Sequence, residues 1–237
     1  MNVKLISYSQ EEKYDYSDRA RPDGFVFRER EEEKDALELI AFCARVSNPE
    51  NQNNKETSEK LVKYLMKHKH WSPLEMVSAC LEIETTRDIA RQILRHRSFS
   101  FQEFSQRYAD PTQDLDFEIR EARLQDLKNR QNSIEAENTE LQEEWKWQQE
   151  QVISASKRAY KWAIDNGIAK EQARAVLPEG NTLSRMYVNG TLRSWIHYIE
   201  LRGANGTQKE HMEIAWAVAD TITKIFPLAE EFKGKDI

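Results

Sequence analysis

No stretch of this sequence comes near the ~20 consecutive apolar residues that a membrane-spanning helix needs, which removes helical membrane proteins from the candidates. Met1 opens onto a polar, strand-like segment instead of an apolar leader, so no signal peptide is expected. Cysteine is nearly absent. Cys43 and Cys80 stand far apart and form no CxxC pattern, which argues against a disulfide framework. Both sit among apolar neighbours, where cysteine behaves as a small hydrophobe. The expected address is cytoplasmic, or the host cytoplasm should the source be viral. With only 7 glycines and 6 prolines among 237 residues, the chain does not read as a low-complexity or disordered polymer. Excess positive charge is also missing. A net charge of -6 makes the whole molecule repel nucleic acid and anionic membranes, so any phosphate it binds must meet a local basic cluster.

What is present is a soluble, helix-rich composition, with 39% hydrophobic and 32% charged residues. The length suits one domain, taken as 1–237, with a charged excursion over about 9–35. VKLISY (3–8) predicts an opening strand, ALELIAFCARV a helix from Ala36, and SEKLVKYLMKHK (58–69) a second helix. Ser72, Pro73 and Glu75 carry the pattern of an N-cap, a proline at the first helical position and a capping-box partner. MVSACLEIE (76–84) alternates as a half-buried strand, and Thr85 with Asp88 predicts the capping box of a helix TRDIARQILRHR. A charged, Leu- and Trp-striped stretch over about 116–166 predicts a long helix or helical hairpin closed by Asn166-Gly167, most simply an arm for subunit packing. Residues 169–176 predict a helix, TLSRMYV (182–188) a strand, and 192–202 and 207–226 two further helices, with His211 on an exposed face. The expected class is α+β: a small mixed or antiparallel sheet covered by helices, with one long helical segment.

The stretch RHRSFSFQEFSQRY (95–108) concentrates arginines, serines and a carboxylate around aromatic rings. Arg95, His96 and Arg97 alone would be ordinary cations at a helix C-terminus. Their company suggests more. Gln92 and Arg95 are one turn apart on the expected helix, and Glu103, Ser105 and Arg107 alternate, so an extended segment would aim all three to one side. Guanidinium forks, a carboxylate and a hydroxyl on one face suit a phosphate joined to a polar heterocycle. Ser105 lacks the base and orienting third group that a nucleophile needs. His68 and His70 lack the further ligands of a metal site, and no metal is expected.

RHRSFSFQEFSQR matches, at every fixed position, the R-H-R-x-x-S-x-x-x-x-S-x-R motif of flavin-dependent thymidylate synthases. ARVS (44–47), HWSPLE (70–75), RAVLP (174–178), LRSWIHYIELR (192–202) and a Gln-Lys-Glu at 208–210 follow in that family's order, so the resemblance covers roughly 36–230. It implies reductive methylation of dUMP to dTMP, a nucleotide-biosynthesis step, by a methyltransferase flavoprotein. FAD would be the cofactor, with methylenetetrahydrofolate and NADPH as co-substrates and a homotetrameric assembly. By resemblance, FAD would be held by Ser72, Arg95, His96, Arg97, Glu103, Thr191, Leu192, Arg193 and His197. The nucleotide would be bound by Gln92, Arg95, Glu103, Phe104, Ser105, Gln106, Arg107, Arg174 and Arg202, with Arg202 polarising the pyrimidine as the catalytic group. Three places depart from the pattern: Met76 and Gly206 stand where histidine is usual, and His197 where asparagine is. Two rivals follow. A nucleic-acid-binding helical module would use the same basic helix and phenylalanines, but acidity and the lack of a long basic stripe oppose it. A catalytically inactive homologue would keep the fold and lose the chemistry.

Overall fold

The computed structural model describes residues 2–10 and 35–233. Most of the charged excursion expected over 9–35 lies outside the described residues. Strand β1 (Asn2–Tyr8) is followed by helices α1 (Ala36–Ala44) and α2 (Ser58–Lys67), a 3-10 turn over Ser72–Glu75, and strand β2 (Ser78–Thr86). Helix α3 (Arg87–Ile93) leads to strand β3 (Ser100–Glu103), the single-turn helix α4 (Pro111–Asp114) and a small hairpin of β4 (Arg123–Gln125) and β5 (Ser133–Glu135). The long helix α5 (Thr139–Asp165), the short α6 (Lys170–Ala173), strand β6 (Leu183–Thr191) and helices α7 (Leu192–Arg202) and α8 (Lys209–Thr223) complete the order.

The main sheet runs β1-β2-β6-β3 with every pairing antiparallel, which is the expected α+β arrangement. In β2, Ala79, Leu81 and Ile83 point into the core. Their cross-strand partners Gly190, Val188 and Met186 on β6 are buried on the same face. That face packs against α1, α7 and α8, with Trp195, Tyr198, Ile214 and Val218 among its fully buried side chains. The alternation of period two supplies one apolar face, and helices with apolar stripes cover it. No described helix is long and apolar enough to cross a membrane.

Several local expectations are corrected. The long helix begins at Thr139, not near 116, with Asn138 accepting from the Leu141 N–H at 3.1 Å. Upstream, Asp126 accepts from the N–H groups of Lys128 and Asn129, and Asn129 from that of Gln131. Such short-range side-chain bonds offer the backbone turns in place of helix, and they close the β4–β5 hairpin. The stripe read along α5 is not its buried face either. Gln149, Ile153, Ser156, Tyr160 and Ala163 are buried, whereas Leu141, Trp145, Val152 and Trp162 remain exposed at 39%, 44%, 50% and 63%. Thr86 rather than Thr85 stands at the N-cap position of α3, because β2 stays in register with β6 through Thr86↔Leu183; its hydroxyl makes no capping bond and donates to the Asp88 carboxylate at 2.7 Å. Ser72 makes no capping bond, and Glu75 is drawn to Arg193 instead. His211 is fully buried, contrary to the expected exposed face, because α8 packs two adjacent faces into the molecule.

Candidate active site

Three joints bring the sequence motifs together. Strand β6 runs directly into α7, whose N-cap Thr191 accepts from the Ser194 N–H, while the Leu192 N–H reaches back to the Val77 carbonyl. Gly190 sits just before this joint, against the Phe99 ring; a Cβ there would overlap the ring, so the 95–99 turn can lie flat on β6 only over a glycine. Ser194 Oγ then donates to the Ser98 carbonyl at 3.3 Å. On its other flank α7 holds the Ser72–Glu75 turn through the Arg193–Glu75 ion pair, and His197 meets the Trp71 ring at 4.8 Å. Ser72, Thr191, Arg193, His197 and the turn carrying Arg95 to Arg97 are thus gathered around the first turns of α7. Leu192 itself is a buried core side chain, so only its backbone faces this region.

Helix α3 stops at Ile93 instead of reaching Arg97, and its end tightens through His96 N–H to Ile93 C=O and Arg95 N–H to Gln92 C=O. Gln92 therefore faces inward onto Gln208 and His211, while Arg95 and Arg97 are exposed. Neither Arg95 nor Arg97 has a side-chain hydrogen bond or ion pair among the described residues. Arg202, at the end of α7, donates from Nε to His96 Nε2 at 2.9 Å and has no carboxylate partner among them. Burial, and then the Arg202 charge, lowers the His96 pKa to about 4, so the ring is neutral at pH 7 and can accept that bond. Among the described residues, these three guanidinium groups thus stand without counter-ions, on a protein of net charge -6.

Behind them lies a buried polar chain. His211 contacts Gln92 Oε1 and the Tyr198 hydroxyl, each at 3.1 Å. Burial raises the Tyr198 pKa, and it lowers that of His211 to about 3 with help from Arg202 and His96. Gln92 donates to Gln208, and Gln208 to Glu210, both at 2.9 Å. Burial opposes the charge on Glu210, yet the hydrogen bond from Arg123 and the others it accepts outweigh this and hold its pKa below the usual carboxylate range. Of this chain, the sequence points to Gln92 and the 208–210 motif; Tyr198 falls inside the 192–202 motif without an assigned role, and His211 is expected on an exposed face, not in the chain. Tyr198 lies one turn before Arg202 on the same helix, the only local sign of their shared surroundings.

The remaining residues fall elsewhere. Glu103 accepts from Ser184 at 2.7 Å and pairs with Arg87 at 3.4 Å. The expected extension of Glu103, Ser105 and Arg107 does not occur: the Ser105 carbonyl accepts from Tyr108 and Ala109, and its hydroxyl from the Arg107 N–H, which turns the chain. Phe104 is half-buried with its N–H on the Arg185 carbonyl, and the Gln106 side chain is buried with its Nε2 unpartnered. Arg107 pairs with Glu171 at 3.2 Å and Arg174 donates to the Glu171 carbonyl at 3.3 Å, so these two arginines share a corner with α6. No side-chain bond among the described residues joins that corner to Arg95 or Arg202. A cavity of about 950 Å³ opens beside the β4–β5 hairpin and the start of α8, and of the motif residues named above it is lined by Gln208 and Lys209. Arg95 and Arg97 lie on open surface, and Arg202 is half-buried. No cluster with metal-ligand character occurs among the described residues.

The family model "Thymidylate synthase complementing protein" matches residues 30–228. A Paramecium bursaria Chlorella virus 1 protein named "Probable flavin-dependent thymidylate synthase" is 50% identical over 81% of this chain and 88% of its own. The flavin-dependent thymidylate synthase of Synechocystis sp. is 44% identical over 96% of both chains. A solved UMP/dUMP methylase, PolB from Streptomyces cacaoi, bound with 5-Br dUMP, shares the fold with a TM-score of 0.76 at 24% identity, covering 97% of this chain and 93% of its own. With its motifs in order, its α+β fold in common and relatives at this level of identity, the chain belongs to the flavin-dependent thymidylate synthase family.

Proposed function

We propose that this protein methylates dUMP to dTMP in a FAD-dependent reaction, with methylenetetrahydrofolate supplying the carbon and NADPH the electrons. One observation carries the reading: Arg95, Arg97 and Arg202 present cationic forks without carboxylate partners among the described residues, along α7, whose first turn holds Ser98 and whose last residue, Arg202, meets the neutral His96. Uncompensated guanidinium groups on an acidic protein are a standing demand for anions, and each charge-assisted bond to a phosphate is worth ~1.5–3 kcal/mol. FAD and dUMP both bring phosphates.

The residues fit the cofactor. Arg95 and Arg97 are solvent-facing donors for a pyrophosphate, and Ser72, Thr191, Arg193 and His197 border the same end of α7. Bound FAD would supply hydride chemistry, which is why no thiol or hydroxyl nucleophile is required of the chain. Cys43 and Cys80 stand as thiols, and burial raises the Cys80 pKa, the opposite of nucleophile activation. Gln92 and Arg202 would orient the nucleotide. Arg202, always charged and held in place by His96, would favour ionisation at N3 of the pyrimidine and polarise its ring.

The site in one chain is incomplete, since Arg107 and Arg174 hold a separate corner. We place those arginines, with Ser105, in the nucleotide site of a neighbouring copy within a homotetramer. The exposed stripe of α5 offers the apolar surface for such packing. The Cys43 and Cys80 thiols support a cytoplasmic address.

The test is direct. Purified protein should be yellow, bleach on addition of NADPH, and release tritium from 5-labelled dUMP when folate is present. A colourless protein that cannot be reconstituted with FAD would refute the proposal.

A further inference from the structure

His211 has no part in the chemistry proposed above, yet it is fully buried against Gln92. The direction of every bond in its chain can be worked out from one end. The Glu210 carboxylate, ionised beside Arg123, has only acceptors to offer, so Gln208 must turn its Nε2 toward it at 2.9 Å. That leaves Gln208 Oε1 to accept from Gln92 Nε2, also at 2.9 Å. Gln92 then faces His211 with its carbonyl oxygen at 3.1 Å, which can only accept, so the imidazole proton must sit on Nδ1. Nε2 remains free to accept from the Tyr198 hydroxyl at 3.1 Å. Each link has one solution, because a carboxamide has one donor end and one acceptor end, and a neutral imidazole carries one proton.

We propose that His211 is a positioning residue that locks the Gln92 carboxamide in one sense, oxygen toward the imidazole, leaving the second N–H of Nε2 to meet the nucleotide. An unlocked carboxamide can rotate half a turn about its last bond and present oxygen where nitrogen is needed. The lock removes that alternative before the ligand arrives, and preorganisation of this kind is read in affinity. This role rests on Gln92 belonging to the dUMP site.

The experiment compares His211→Asn, His211→Gln and His211→Leu in the FAD-loaded enzyme with dUMP as the varied substrate. Asparagine keeps a donor near the Nδ1 position; glutamine places its amide near Nε2 and leaves Nδ1 unreplaced; leucine replaces neither. The expected result is a KM for dUMP within about twofold of wild type for His211→Asn, and a rise of about fivefold to tenfold for His211→Gln and His211→Leu, the loss of one neutral hydrogen bond. The kcat should stay within about twofold throughout. In a Gln92→Ala background, His211→Gln should raise KM no further. Should the leucine variant fail to fold, the asparagine–glutamine contrast decides alone. Equal KM values in all variants, or equal rises for asparagine and glutamine, overturn the role. A wild-type enzyme that neither binds nor turns over dUMP defeats the proposed function instead, so the two failures are distinguishable.

Discussion

Acidification should destabilise this protein through His211 before most of its carboxylates titrate. The ring is fully buried, faces the Arg202 charge, the neutral His96 and the Tyr198 hydroxyl, and its pKa is lowered to about 3. In the unfolded chain a histidine titrates near ~6.5. Between these values the unfolded state binds the extra proton and the folded state does not, so stability falls as pH falls. From pH 7 to pH 5 the linkage is worth about 2 kcal/mol for this residue, which for a chain of this size lowers Tm by roughly 4–8 °C. His96 shifts in the same direction but is only half-buried, and solvent screening reduces its share. Glu210 and Asp88, both held below their ordinary range, lose stability only at lower pH, and Glu213, raised by burial, acts with the opposite sign. These groups are common to wild type and variant, so a comparison cancels them. Thermal melts of wild type and His211→Asn at pH 7, 6 and 5 should diverge on acidification, the variant losing about 2 kcal/mol less. Parallel profiles would refute the reasoning.

Two further outcomes are expected. Gly190→Ala should destabilise by about 1–3 kcal/mol in urea titrations and loosen the 95–99 turn, since the new methyl group overlaps the Phe99 ring. Trp145→Glu combined with Trp162→Glu should leave the fold intact by circular dichroism, because both side chains are exposed. In analytical ultracentrifugation the same double variant should shift the proposed homotetramer toward smaller species.

The site was partly written in local sequence. The motif from Arg95 to Arg107 names candidate residues, which the fold divides between two places, and the alternation in β2 and β6 locates the sheet beneath them, because pleated strands expose one face to the core. The boundaries of α3 and α5 were less legible. A strand in register through Thr86 took over the expected capping residue, and the turns around Asp126 displaced helix that composition alone favours. The α5 stripe was visible as a pattern, but whether it faces the core or solvent depends on what packs against Gln149 and Tyr160.

By itself the sequence determined the class of fold, the motif and the excess of arginine at one place in an acidic chain, all properties of neighbouring residues. Only the tertiary structure decided that His96 accepts from Arg202, that His211 is buried against Gln92, and that Arg107 stands with Arg174 instead. Those contacts join residues separated by tens to more than a hundred positions, and the neutrality of His96 and His211 comes from burial, which no local pattern encodes.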